Sequence, residues 1–128
     1  MRYLLDTHTF LWAVSFPENL SKTARELFEN PEFQLFFSVV SSWEISIKVG
    51  IGKLSIPQDL DRFLLHNIRK HKLQILEISL DDTLELGRLP QFHKDPFDRI
   101  LISQSRNREI PIITKDAQIE RYDVEIIW

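Results

Sequence analysis

Residues 93–116 read HKDPFDRILISQSRNREIPIITKD, and the fold turns on them. Asp95 and Pro96 mark a helix start, with Pro96 at the first helical position, where its missing N–H is not needed. That helix runs over 95–108. IPIIT (110–114) follows and is apolar on both faces, as a parallel strand covered on both sides must be.

Outward from there the alternation repeats. YLLD (3–6), LFFSVV (35–40), LQILEIS (73–79) and VEIIW (124–128) read as further strands. HTFLWAV (8–14), SKTARELFEN (21–30), SSWEISIKVG (41–50), DLDRFLLHNIRKHK (59–72), DDTLELGRL (81–89) and a short piece at 117–121 read as helices. In 21–30, Ala24, Leu27 and Phe28 fall at helical spacing behind Ser21, an N-cap residue type. In 41–50, Ser41 and Glu44 match a capping box and Gly50 a C-cap. Arg69, Lys70 and Lys72 crowd the end of the 59–72 helix, where the macrodipole favours cations. Strand and helix in alternation imply an α/β sandwich on a mostly parallel sheet.

The chain has 128 residues, with no repeat or linker, which implies one domain over 1–128. Hydrophobic residues make up 43%, including nine Phe and three Trp, so a core can form and disorder is excluded. There is no cysteine, so neither a disulfide nor a thiolate metal site exists. No apolar run reaches the ~18 residues of a membrane span. MRYLLDTHTF is broken by Asp6 and His8 and makes a poor signal peptide. The expectation is a soluble, cytoplasmic protein with no membrane partner. Net charge is −3, which argues against nucleic-acid binding by bulk positive charge. It leaves open an enzyme that meets phosphates through cations held in an acidic pocket.

Four acids stand at strand–helix junctions. Asp6 ends the first strand. Glu44 lies in the expected first turn of the helix after the second strand. Asp98 lies in the first turn of the Pro96 helix, and Asp116 just past IPIIT. In a parallel sheet the strand carboxyl ends share one edge, where ligands bind. Two unit charges 4 Å apart at an effective dielectric of about 20 repel by roughly 4 kcal/mol. Cations relieve this, and an all-carboxylate set suits Mg²⁺ or Mn²⁺. Such a site fits phosphodiester hydrolysis. Each acid also has a local explanation: Glu44 in the capping box, Asp98 as a helix-start acid, Asp6 and Asp116 as turn or cap residues.

The segments LLDTHTFLWAV (4–14), SSWEISIKVGIGKL (41–54), HKDPFDRILISQS (93–105), IPIITKD (110–116) and the final VEIIW together resemble the PIN domains of VapC-type toxins from prokaryotic toxin–antitoxin modules. The resemblance runs from end to end. It implies a three-layer α/β/α sandwich with a five-stranded, mostly parallel sheet in the order 3-2-1-4-5. It also implies a Mg²⁺- or Mn²⁺-dependent endoribonuclease with an RNA substrate, a cognate antitoxin and a homodimeric state. The family's acidic quartet carries over to Asp6, Glu44, Asp98 and Asp116. His8 stands where many members have Ser or Asn, and Ile119 where an aromatic is common; neither removes a carboxylate.

On this resemblance Asp6 and Asp98 are the main metal ligands. Asp116 completes the set directly or through water, and Glu44 positions or deprotonates the attacking water. Thr7 and Thr114 are candidates for orienting carboxylates, against ordinary turn chemistry. Lys48, four residues after Glu44, is an ion-pair partner or a phosphate contact. Arg99 is a bidentate phosphate ligand or the partner of an acid. His93 reads as a structural hydrogen-bonder before the helix. Two other functions compete. A phosphoacceptor receiver domain needs a second acid at the end of strand one, where Leu5 stands. A catalytically inactive PIN-like module that binds RNA or a partner would not need all four acids.

Overall fold

The computed structural model describes residues 1–128. Five strands, β1 (Arg2–Leu5), β2 (Gln34–Ser38), β3 (Gln74–Leu76), β4 (Ile112–Ile113) and β5 (Ile126–Ile127), form one sheet in the order β3-β2-β1-β4-β5. Every neighbouring pair is parallel. Helices α1 (Thr7–Ser15) and α2 (Lys22–Glu29) lie between β1 and β2. Helices α3 (Val39–Gly50) and α4 (Leu60–Lys70) precede β3. Helices α5 (Leu80–Leu86) and α6 (Pro96–Arg108) precede β4, and α7 (Ala117–Glu120) leads to β5.

Alternation along the strands makes two cores. Tyr3, Leu5, Leu35, Phe37 and Ile113 point to one face, against Phe10 and Ala13 of α1, Leu27 of α2, and Phe63 and Leu64 of α4. Leu4 and Ile112 point to the other, against Val40 of α3, Ile100, Leu101 and Ile102 of α6, and Ile119 of α7. A sheet covered on both faces is the expected three-layer α/β/α sandwich. Phe10 is fully buried, with its ring 4.6 Å from that of Phe37. Burying such a side chain contributes about 2–3 kcal/mol.

The strands are shorter than the sequence pattern suggests. LFFSVV stops being a strand at Ser38, whose hydroxyl accepts the Val40 N–H and starts α3 at once. The expected Ser41–Glu44 capping box therefore does not form. Ser41 is inside the helix, Glu44 sits in its second turn, and Gly50 is its last residue rather than its cap. The capping box of this chain is Ser79–Asp82, at α5. Asp82 is fully buried and also takes Arg108 at 2.7 and 3.0 Å and Asn107 at 3.0 Å, which ties α5 to the end of α6. Gln104 of α6 accepts from Ser38 at 2.6 Å and donates to the Glu77 carbonyl at 3.2 Å, joining α6 to the ends of β2 and β3.

Candidate active site

The register Leu5↔Ile113 places the residues that follow β1 and β4 side by side. Asp6 and Thr114 are those residues. The Thr114 hydroxyl donates to Asp6 Oδ2 at 2.8 Å and accepts the Asp116 N–H at 3.0 Å, so one threonine links two acids. Asp116 Oδ1 in turn caps α7 by accepting the Gln118 N–H at 2.8 Å. Asp6 is buried, and burial raises its carboxyl above the usual range; Thr114, His8 and the Thr7 N–H oppose this, and Glu44 adds to it.

Glu44 reaches the same region from α3. It is buried, and Lys48 one turn later donates to its Oε2 at 2.6 Å. The Thr7 hydroxyl lies 2.8 Å from that of Ser41, joining the start of α1 to α3. Thr7 thus orients a helix with its side chain, and acts on Asp6 only through its backbone. Trp43, beside Glu44, is half exposed, with its ring edge-on to Phe97 at 4.9 Å.

Asp98 is aimed by the start of α6. Asp95 Oδ1 accepts the N–H groups of Phe97 at 2.9 Å and Asp98 at 3.1 Å, with Pro96 at the first helical position. The cap and the candidate ligand are therefore different residues. The Asp98 carboxyl is pushed up to about 8, first by burial and then by the charges of Asp6, Asp95, Asp116 and Glu44. A carboxyl at a surface helix start would be stabilised as an anion. Here burial, together with the shared negative field, overrides that effect.

Arg99 does not serve as expected. It is buried and donates to the Pro90 carbonyl at 2.8 Å, the Tyr122 hydroxyl at 2.9 Å and the Leu86 carbonyl at 3.5 Å. A guanidinium spent on neutral acceptors inside the protein is not open to a phosphate. Conversely, His93 is more than a local hydrogen-bonder: its Nε2 lies 3.1 Å from Asp98 Oδ2 and its Nδ1 2.8 Å from the Tyr122 hydroxyl. The spacing from His93 to Asp98 was a signal for the first contact. Tyr122, 29 residues from His93 in sequence, had none.

No three His, Asp or Glu side chains are drawn together tightly enough to cage a metal ion as they stand. The donor chemistry nevertheless fits a hard cation. All four candidates are carboxylates, and their mutual repulsion is what a cation relieves. Each commits one oxygen to Thr114, Lys48, His93 or the cap of α7. Asp98 Oδ1, Glu44 Oε1 and Asp116 Oδ2 take no hydrogen bond from the protein and are not sealed in the interior.

A family model described as PIN domain matches residues 3–125. The chain belongs to the PIN-domain family. PIN domains are typically nucleases and generally use divalent metal ions. No curated protein matches by sequence. Among solved structures, the chain is similar to one of VapBC2 from Rickettsia felis bound to a DNA fragment from their promoter, with TM-score 0.72 and 15% identity over 99% of this chain and 98% of that one. It is also similar to one of DNA-bound VapBC from Salmonella typhimurium, with TM-score 0.71 and 18% identity over 99% and 97%. A third, VapBC-5 from Mycobacterium tuberculosis, gives TM-score 0.62 and 20% identity over 98% and 97%. At these identities the likeness is one of fold, and it extends the PIN architecture over the whole chain.

Proposed function

We propose that this PIN domain, residues 1–128, is a cytoplasmic Mg²⁺- or Mn²⁺-dependent endoribonuclease and the toxin of a toxin–antitoxin pair. The observation that carries it is the gathering of acids at one sheet edge: Thr114 links Asp6 to Asp116, and Glu44 and Asp98 lie close enough for their charges to bear on the same region. The naming of its structural neighbours as VapBC complexes supports the toxin part of the proposal.

Asp6, Asp98 and Asp116 would hold the cation, each steadied through its other oxygen or its backbone. When bound, the cation would neutralise the acids, lower the pKa of a water and offset charge on the phosphate. Glu44, fixed by Lys48, would orient the attacking water and accept its proton. Lys48, a third exposed beside Glu44, would be the lysine to meet a phosphate. Trp43 offers a ring on which a base can stack. An antitoxin would cover the acidic edge with a basic side chain, and a homodimer would present two such edges.

The test is cleavage of a mixed RNA pool with Mn²⁺ or Mg²⁺, with chelator, and with Asp98→Asn. Cleavage that requires the metal and is lost in the variant is expected. Cleavage indifferent to the chelator, or full activity in Asp98→Asn, would sink the proposal.

A further inference from the structure

The Tyr122 hydroxyl sits among three nitrogens: Arg99 Nη1 at 2.9 Å, His93 N at 3.3 Å and His93 Nδ1 at 2.8 Å. A guanidinium and a backbone N–H can only donate, so between them they fill both acceptor positions of the phenol oxygen. The hydroxyl proton is then directed to the remaining neighbour, His93 Nδ1. A neutral imidazole that accepts at Nδ1 carries its hydrogen on Nε2. Nε2 is the atom 3.1 Å from Asp98 Oδ2. The opposite tautomer would press a third N–H on the same phenol oxygen.

We infer that Arg99 and Tyr122 set the His93 tautomer so that its Nε2–H holds Asp98 Oδ2, leaving Oδ1 as the oxygen for the cation. His93 and Tyr122 are thus positioning residues of the metal site. This rests on the metal-dependent reading above. The surroundings are built to hold the chain of bonds still. Tyr122 and Arg99 are buried, the His93 side chain is 14% exposed, and the guanidinium is pinned by the Pro90 carbonyl at 2.8 Å. The Tyr122 ring packs against Phe92 at 5.1 Å and His93 at 5.4 Å. Partners that orient a ligand in this way typically change metal affinity 10–100-fold when removed.

Two measurements test this. Ring ¹⁵N shifts of His93 in the metal-free protein should show hydrogen on Nε2 and none on Nδ1; the reverse overturns the inference. Mn²⁺ titration should show about tenfold or greater weakening in Tyr122→Phe, which removes only the hydroxyl. His93→Gln, which keeps a donor at the ε position, should bind Mn²⁺ more tightly than His93→Leu, with thermal melts confirming that both are folded. Equal affinities in Tyr122→Phe and wild type, or in the two His93 variants, would overturn the positioning role alone. A wild type that binds no Mn²⁺ would overturn the metal reading and this role with it.

Discussion

Asp98, in the role proposed for it, would serve activity at a cost in stability. Its carboxyl is buried among Asp6, Asp95, Asp116 and Glu44, all of which oppose its charge. Asp98→Asn keeps an oxygen for the His93 N–H and removes the group whose ionisation the site opposes. Its melting temperature should equal or exceed that of the wild type, while metal-dependent cleavage falls by orders of magnitude; a clear loss of stability would contradict the repulsion argument. Ser103 is the opposite case, a structural cost with no site to serve. Its hydroxyl is buried in α6 with no hydrogen-bond partner. An unsatisfied buried polar group costs about 1–3 kcal/mol. Ser103→Ala should therefore be neutral or stabilising in urea titration. Residues like these differ in how far sequence reveals them. Asp95 as cap and Lys48 as the partner of Glu44 are legible because both contacts are local. Arg99 is not, because its partners come from two other segments, Leu86 and Pro90 at and just after the end of α5 and Tyr122 after α7. Nothing in a lone arginine says whether it meets a phosphate or a carbonyl.

Elements were legible where their periodicity was long, and less so at their ends. Helix α6 starts and stops where Pro96 and the 95–108 pattern place it. Helix α3 starts earlier than expected because Ser38 and Ser41 are equally good caps in isolation. The buried bond from Ser38 to Gln104, 66 residues away, decides between them. The end of α6 carries a prediction. Glu109 adopts a left-handed conformation with φ 54°, which costs a non-glycine residue about 1 kcal/mol. Glu109→Gly should raise the free energy of unfolding by up to about 1 kcal/mol, seen as a higher denaturation midpoint, and a lowered midpoint would show that its side chain has a role. The joint between α5 and α6 carries another. Burial alone would raise the Asp82 carboxyl, but Arg108, the Ser79 N–H and Asn107 outweigh it and hold it down to about 2. A depressed folded-state value adds stability above the unfolded value, near 3.8, that is lost as pH falls through about 2. The stability gap between wild type and Asp82→Asn should be widest at pH 5–7 and shrink by about 2 kcal/mol as the pH falls from about 5 to below about 2. A gap that does not change with pH would mean that the ion pair is not what joins the helices.

At the scale of the whole molecule, the parallel order β3-β2-β1-β4-β5 gathers acids from four separate stretches of chain at one edge. A cation bound there should stabilise the entire fold by mass action, by about 2.7 kcal/mol at a hundred times its dissociation constant. Mn²⁺ should raise the wild-type melting temperature and chelator should reverse the rise. Asp98→Asn should show a much smaller shift; an equal shift would place the ion elsewhere. The same topology also governs when the site comes into being. Of the five strands translation delivers β1 before the others, yet β1 is the central strand and keeps one edge open until β4 is made. The bond from Thr114 to Asp6 spans 108 positions of sequence. Contacts so distant close slowly, because much of the chain must be ordered before they form. Asp6 and Glu44 therefore emerge from the ribosome long before Asp98 and Asp116 exist. If the domain cuts RNA, a growing chain cannot do so. The message and the ribosome that produce it stay beyond its reach until the segment carrying Asp116 has been made and folded onto β1.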